Sequence, residues 1–133
     1  MDLKKYFNDR TGTGILSTAD AEGRVDAAIY ARPQIMEDGT LAMIMRDRLT
    51  HKNLQENPYA AYLFIENVPG YQGMRLFLKK VREDDDPELI NQMTRRCLSA
   101  EEDLLKGPKF IVYFQLEKAL ELIGDVELNE RVS

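Results

Sequence analysis

The chain has 133 residues, enough for one domain with a self-sufficient core, expected over residues 1–133, and too few for two. Its net charge is −5, and its cations stand in short groups (Arg46 with Arg48, Lys79 with Lys80, Arg95 with Arg96) interrupted by acids, which excludes a basic nucleic-acid face. One cysteine and one histidine exclude an internal disulfide and leave too few ligands for a zinc centre, so no metal is expected.

The opening segment, MDLKKYFNDR, lacks the long apolar stretch of a signal peptide. No later run reaches the roughly 20 apolar residues of a spanning helix. A soluble cytoplasmic protein with no membrane partner is expected. Residues Leu3 to Asn8 read as a short helix with Leu3, Tyr6 and Phe7 on one face. Thr11-Gly12-Thr13-Gly14 breaks it, and Ile15 to Ala19 form a first strand. Asp20-Ala21-Glu22-Gly23 is a turn, because Gly accepts positive φ and Asp binds local amides. Val25 to Met36 read as a second strand with a bend at Pro33. Glu37-Asp38-Gly39 turns the chain into a third strand, Thr40 to Met45.

The run Arg46-Asp47-Arg48-Leu49-Thr50-His51-Lys52-Asn53 follows that strand and opens a helix over His51 to Glu56, with Thr50 as its expected N-cap. Tyr59 to Ile65 form a fourth, wholly apolar strand. Asn67-Val68-Pro69-Gly70 is a loop, and Met74 to Arg82 a fifth strand. Asp84-Asp85-Asp86-Pro87 initiates a helix over Glu88 to Cys97, since acids and proline suit a helix start. Leu98 to Pro108 read as irregular or partly helical. Phe110 to Leu116 form a sixth strand, which Glu117 to Val126 extend or pair with. Short hairpin turns leave no room for crossover helices, so the fold class is mainly β. A six- or seven-stranded antiparallel sheet closed into a split barrel, with capping helices, is expected.

The chemistry concentrates at Arg46 to Asn53. Helix starts carry unpartnered amides and partial positive charge, so they suit a phosphate. Thr50 offers a hydroxyl, Lys52 a point charge, and Arg46 a bidentate guanidinium. Thr50 as a plain cap and Lys52 as a solvated surface residue carry equal weight on spacing alone. His51 reads as a surface or capping group rather than a catalyst. Ser17 has no base partner and no nucleophile elbow. Cys97 reads as core. Ala28, Ile29, Tyr30 and Ala31 form a small-residue strand that lets a flat ligand approach the backbone, although on these residues alone ordinary strand packing is the favoured reading. Met43, Ile44 and Met45 form an apolar wall just before the cations. A phosphate with an extended apolar body suggests a nucleotide-like cofactor.

The order of GILSTADAEGRVDAAIYA, EDGTLAMIMRDRLTHKN, LQENPYAAYLFIE and GMRLFLKKV, from about Gly14 to Leu116, resembles the pyridoxamine 5′-phosphate oxidase-like, FMN-binding split-barrel family. The resemblance implies FMN at a homodimer interface and flavin-mediated electron or hydride transfer. It implies a phosphate held by Arg46, Thr50, Lys52 and Asn53. Ala28 to Ala31 would pass near the ribityl chain and ring, with Met43 to Met45 lining the same pocket. Arg75 and the Val68 to Gln72 loop would face the flavin from one subunit or the other. The oxidases' Arg-rich C-terminal substrate segment has no counterpart in Glu117-Lys118-Ala119-Leu120-Glu121, so the resemblance implies a different, unidentified small substrate. Relatives that bind a deazaflavin or haem, a non-catalytic flavin carrier or sensor, and a module without cofactor are the alternatives. The catalytic residues are left unnamed.

Overall fold

The structure, a computed structural model, describes residues 2–93 and 107–128. Its elements are α1 (Leu3–Asp9), β1 (Gly12–Ala19), β2 (Val25–Ile29), β3 (Gln34–Ile35), β4 (Leu41–Arg46), α2 (Leu49–Glu56), β5 (Tyr59–Glu66), β6 (Gly73–Asp84), α3 (Pro87–Met93) and β7 (Lys109–Glu121). The strands form one antiparallel sheet in the order β2-β1-β5-β6-β7-β4-β3.

Period-2 alternation builds the core. Leu16, Tyr62, Phe64, Met74, Leu76 and Leu78 point to one face of β1, β5 and β6 and are fully buried, joined by Phe114 of β7. The first helix completes this core rather than decorating it. Asp2 caps α1 by accepting from the Lys5 amide, and the helix buries Leu3, Tyr6 and Phe7. Phe7 meets Phe64 edge to face with ring centroids 5.3 Å apart.

The barrel is split because its end strands do not meet. β2 pairs only with β1, and β3 pairs with β4 only at Leu41 and Ala42. The remaining edge of β4, Met43 to Arg46, therefore faces β2 across a gap.

The structure corrects several sequence expectations. The strand expected over Val25 to Met36 is two strands, because residues 30–33 leave the sheet. Pro33 supplies no amide, and the Arg32 guanidinium donates to the carbonyls of Phe7 and Arg10, drawing the segment onto the end of α1. β1 starts at Gly12 rather than Ile15, since Gly12 lies flush on β5, where a Cβ would sit 2.1 Å from the Ile65 carbonyl. Arg48, not Thr50, is the N-cap of α2. β7 continues through residues 117–121, pairing along β6, so that segment extends the sixth predicted strand. Of the helix expected over Glu88 to Cys97, Pro87–Met93 is seen. Cys97 and residues 98–106 lie outside the described residues.

Candidate functional site

A cavity of about 650 Å³ occupies the split, within the range of small-molecule and cofactor sites. Its walls are the facing edges of β2 and β4, the segment Tyr30 to Arg32, the start of α2, and single residues of α3 and β7. Ala28, Ile29, Tyr30 and Ala31 line one side, and Met43, Ile44 and Met45 the other. These two predicted segments are distant in sequence, and the split brings them together.

Arg46 and Thr50 also line the cavity, at the end where β4 passes into α2. The passage is tight: the Arg48 amide donates to the Arg46 carbonyl at 2.9 Å. The first internal bond of α2 runs from the Lys52 amide to the Arg48 carbonyl, so the first-turn amides are those of Leu49, Thr50 and His51. Arg48 and Lys109 join Arg46 in the lining, and Arg32 stands further along it, against a single acid, Asp26. An acidic protein thus concentrates cations around one cavity, which focuses a positive field there. Arg46 is anchored by donating to the Gly107 carbonyl at 2.7 Å. Thr50 is buried, and its hydroxyl bonds the Tyr30 phenol. Burial pushes that phenol above its ordinary range, against the opposing effect of Thr50. Tyr30 is therefore a neutral hydroxyl in the cavity wall at neutral pH.

Three predicted residues stand elsewhere. Lys52 is exposed on α2 and outside the cavity lining. Asn53 is buried outside the cavity lining and donates from Nδ2 to Thr18 Oγ1 at 3.1 Å. Arg75 holds the carbonyls of Glu121 and Gly124 on the outer face of the sheet. Helical rotation turns Lys52 away from Thr50, while Asn53, nearly one turn on from Thr50, is taken up by Thr18 of β1, a division that proximity in sequence conceals. Lys109 escaped the sequence reading because only the β4–β7 register places it opposite Arg46. Arg48 was visible in the cation cluster but ambiguous in direction.

His51 also departs from expectation, being neither a surface group nor a cap. It is buried, stacked on Phe110 with centroids 4.1 Å apart and planes 8° from parallel. Its Nδ1 lies 3.0 Å from Asp47 Oδ1 and its Nε2 lies 3.1 Å from Glu83 Oε2. Burial would raise the Glu83 carboxyl, but hydrogen bonds from Lys80, Gln55 and His51 outweigh it and hold the group at about 2.

Two contacts shape the β2 side. Tyr62, wholly buried, donates its hydroxyl to the carbonyls of Tyr30 and Ala31 at 3.3 and 3.1 Å. Gly14 leaves room for that hydroxyl, and its carbonyl accepts from the Tyr30 amide at 2.9 Å.

Among the described residues no group of three or more His, Cys, Asp or Glu is arranged to hold a metal ion. No helix among them is long and apolar enough to cross a membrane.

Neither a protein-family model nor a curated protein sequence matches the chain. Solved structures do. An FMN-binding protein from Syntrophomonas wolfei subsp. wolfei is 19% identical with a TM-score of 0.70, over 92% of this chain and 84% of that one. HutZ, the haem storage protein from Vibrio cholerae, is 20% identical with a TM-score of 0.63, over 91% and 95%. A pyridoxamine 5′-phosphate oxidase-like protein from Lactobacillus delbrueckii is 13% identical with a TM-score of 0.63, over 88% and 89%. At these identities the likeness is one of architecture: the chain has the split-barrel fold of the pyridoxamine 5′-phosphate oxidase-like proteins.

Proposed function

We propose that the cavity binds FMN and that the protein is a flavin-dependent oxidoreductase acting on a small substrate. The observation that carries this reading is the two-part cavity: a cationic helix start at one end, and an apolar body between two strand edges. Arg46, Arg48, Lys109 and the α2 amides suit a phosphate. Ala28 and Ala31 leave backbone edge accessible to a flat ring, and Met43 to Met45 supply its apolar support. Flavin, when bound, supplies the electron chemistry. The chain's residues bind, orient and desolvate it, and the neutral Tyr30 hydroxyl offers a hydrogen-bond donor in the wall.

The lining suits flavin better than haem. The only histidine of the chain has both ring nitrogens against carboxylates and its face on Phe110, so it is not aimed at the cavity as an iron ligand.

The functional unit is a homodimer. Antiparallel sheets with one wet face normally alternate apolar-in, polar-out. Here the outer face departs from that pattern. Val25 is 82% exposed, Ile29 73% and Tyr59 53%. The register sets Ile29 beside Ile15 and Leu63, and Ala27 beside Ser17, Ala61 and Phe77. Ile29 belongs both to this face and to the cavity wall, so a second copy seated here would also close the cofactor site. The single cysteine accords with a cytoplasmic setting.

The test is direct. Purified protein should absorb in the flavin region or take up FMN on titration. Replacing Arg46 and Arg48 together by Ala should weaken FMN by about 100-fold or more, since each charge-assisted bond contributes a net ~1.5–3 kcal/mol, while riboflavin affinity stays unchanged. Protein that takes up no FMN refutes the assignment. Reduction of bound flavin by NAD(P)H with multiple turnovers separates an enzyme from a carrier.

A further inference from the structure

We propose that His51 is a positioning residue: as an imidazolium it clamps the start of α2, and with it the anion end of the cavity, against β6 and β7. The proposal rests on the phosphate reading of that end.

The residues of the clamp and of the cavity interleave in sequence. Arg46, Arg48, Leu49 and Thr50 line the cavity, while Asp47 and His51 face away from it, into the clamp. The clamp reaches three elements besides α2. Asp47 lies in the turn that carries Arg46 and Arg48, Glu83 belongs to β6, and Phe110 belongs to β7. Any shift of His51 is therefore a shift of the backbone that presents the cavity's cations and first-turn amides.

The geometry selects the doubly protonated ring. Both nitrogens stand within hydrogen-bond distance of a carboxylate oxygen, and a carboxylate can only accept. A neutral imidazole has one N–H, so one of the two contacts would set a lone pair against an anion. Gln55 supplies the alternative partner. Its Nε2 lies 3.1 Å from His51 Nε2 and 2.7 Å from Glu83 Oε1. With the proton present, Glu83 accepts from both groups. With the proton gone, the Gln55 amide can donate to the ring instead, and the direct His51–Glu83 hydrogen bond is lost.

The charged surroundings are these. Asp47 faces the ring from the turn and Glu83 from β6, and Lys80 of β6 holds the other Glu83 oxygen at 2.6 Å. Lys109, beside Phe110 on β7, and Arg46 on β4 contribute opposing positive charge from the cavity side. Histidine is the side chain whose charge ordinarily changes between about pH 5 and 8, so gain or loss of the ring proton couples pH to the anion site.

The experiment uses the full chain with FMN, and riboflavin as the phosphate-free control. Nitrogen-15 long-range correlation spectra of the single histidine report its protonation without any ligand. Both ring nitrogens should be protonated where FMN binds tightest, and FMN affinity should fall about tenfold as the second proton is lost, the scale of one charge-assisted hydrogen bond. Riboflavin affinity should not follow. The FMN phosphate gains charge above its own second pKa of about 6, which would strengthen binding, so the expected fall has the opposite sign. Glu83→Gln keeps the shape of the clamp and should leave His51 singly protonated, with FMN affinity already at the wild-type alkaline level. A singly protonated His51 in the wild type where FMN binds tightest, or the same FMN pH profile in both proteins, overturns the proposal. A doubly protonated His51 in protein that binds no FMN overturns the flavin reading and the coupling together, and is recognisable as such because the imidazole spectrum needs no ligand.

Discussion

Gly14 and Tyr62 should behave as a coupled pair that sets where β2 leaves the sheet. A Cβ at residue 14 would lie 1.9 Å from Tyr62 Oη, 2.4 Å from its Cζ and 2.6 Å from the Tyr30 carbonyl. Neither neighbour yields easily: the ring is wholly buried and the carbonyl is backbone. Overpacking of this kind typically costs about 1–3 kcal/mol, and Gly14→Ala belongs at the upper end. Tyr62→Phe keeps the ring and removes only the hydroxyl that serves the Tyr30 and Ala31 carbonyls. Its cost should be about 1 kcal/mol, the ordinary net value of a hydrogen bond, because the outer carbonyls can turn to water. In the double variant the shortest clash disappears, while the Cζ and carbonyl contacts remain. The combined loss should therefore fall about 1 kcal/mol short of the sum, well outside the ~0.3–0.5 kcal/mol scatter of independent sites. Urea titration of the four proteins measures this cycle. Melting temperatures should follow at roughly 4 °C per kcal/mol for a chain of this length. Tyr62→Phe should also weaken FMN, since Tyr30 and Ala31 line the cavity. Strict additivity would show that the Gly14–Tyr62 contact does not set this corner.

Three further outcomes are expected. Glu83 is held at about 2 instead of its ordinary 4.5, so its contribution to stability is complete above the ordinary value and is lost as pH falls from about 4.5 to about 2; acid titration of Glu83→Gln should be flatter across that window, and an unchanged profile would contradict the assignment. Ala28→Leu should keep the fold, because Ala28 faces the cavity rather than the core, yet should sharply reduce FMN uptake on titration; full uptake would place the ring elsewhere. Val25→Lys with Ile29→Lys should convert a dimer to monomer in sedimentation and lower FMN affinity with it, and a dimer unaffected by both charges would assign the interface to another face.

Much of this protein was legible before folding. The apolar run over residues 59–65, the alternation that opens 74–82, the hairpin turns at Gly23 and Gly39, and the absence of crossover-length connections determined an antiparallel barrel, because side-chain period and turn chemistry are local properties. Arg46 and Thr50 were recognisable by their place at a helix start, and the two cavity walls, Ala28 to Ala31 and Met43 to Met45, only through that anion site and the family resemblance, since by composition Ala28 to Ala31 reads as ordinary strand packing. What folding decided was direction and partnership. Within α2, which starts two residues earlier than expected, Thr50 faces the cavity and Lys52 faces away, since each residue rotates the side chain by about 100°, while Thr18 takes up Asn53. The β4–β7 register brings Lys109 opposite Arg46, and the packing of β6 sets Glu83 against His51 across 32 residues, converting a surface histidine on paper into a buried clamp. The split itself is a tertiary fact: Arg32 reaching back to α1 pulls residues 30–33 out of the sheet and opens the edge of β4. Local sequence encodes which residues can bind an anion or wall a ring, but a cavity exists only where long-range pairing stops.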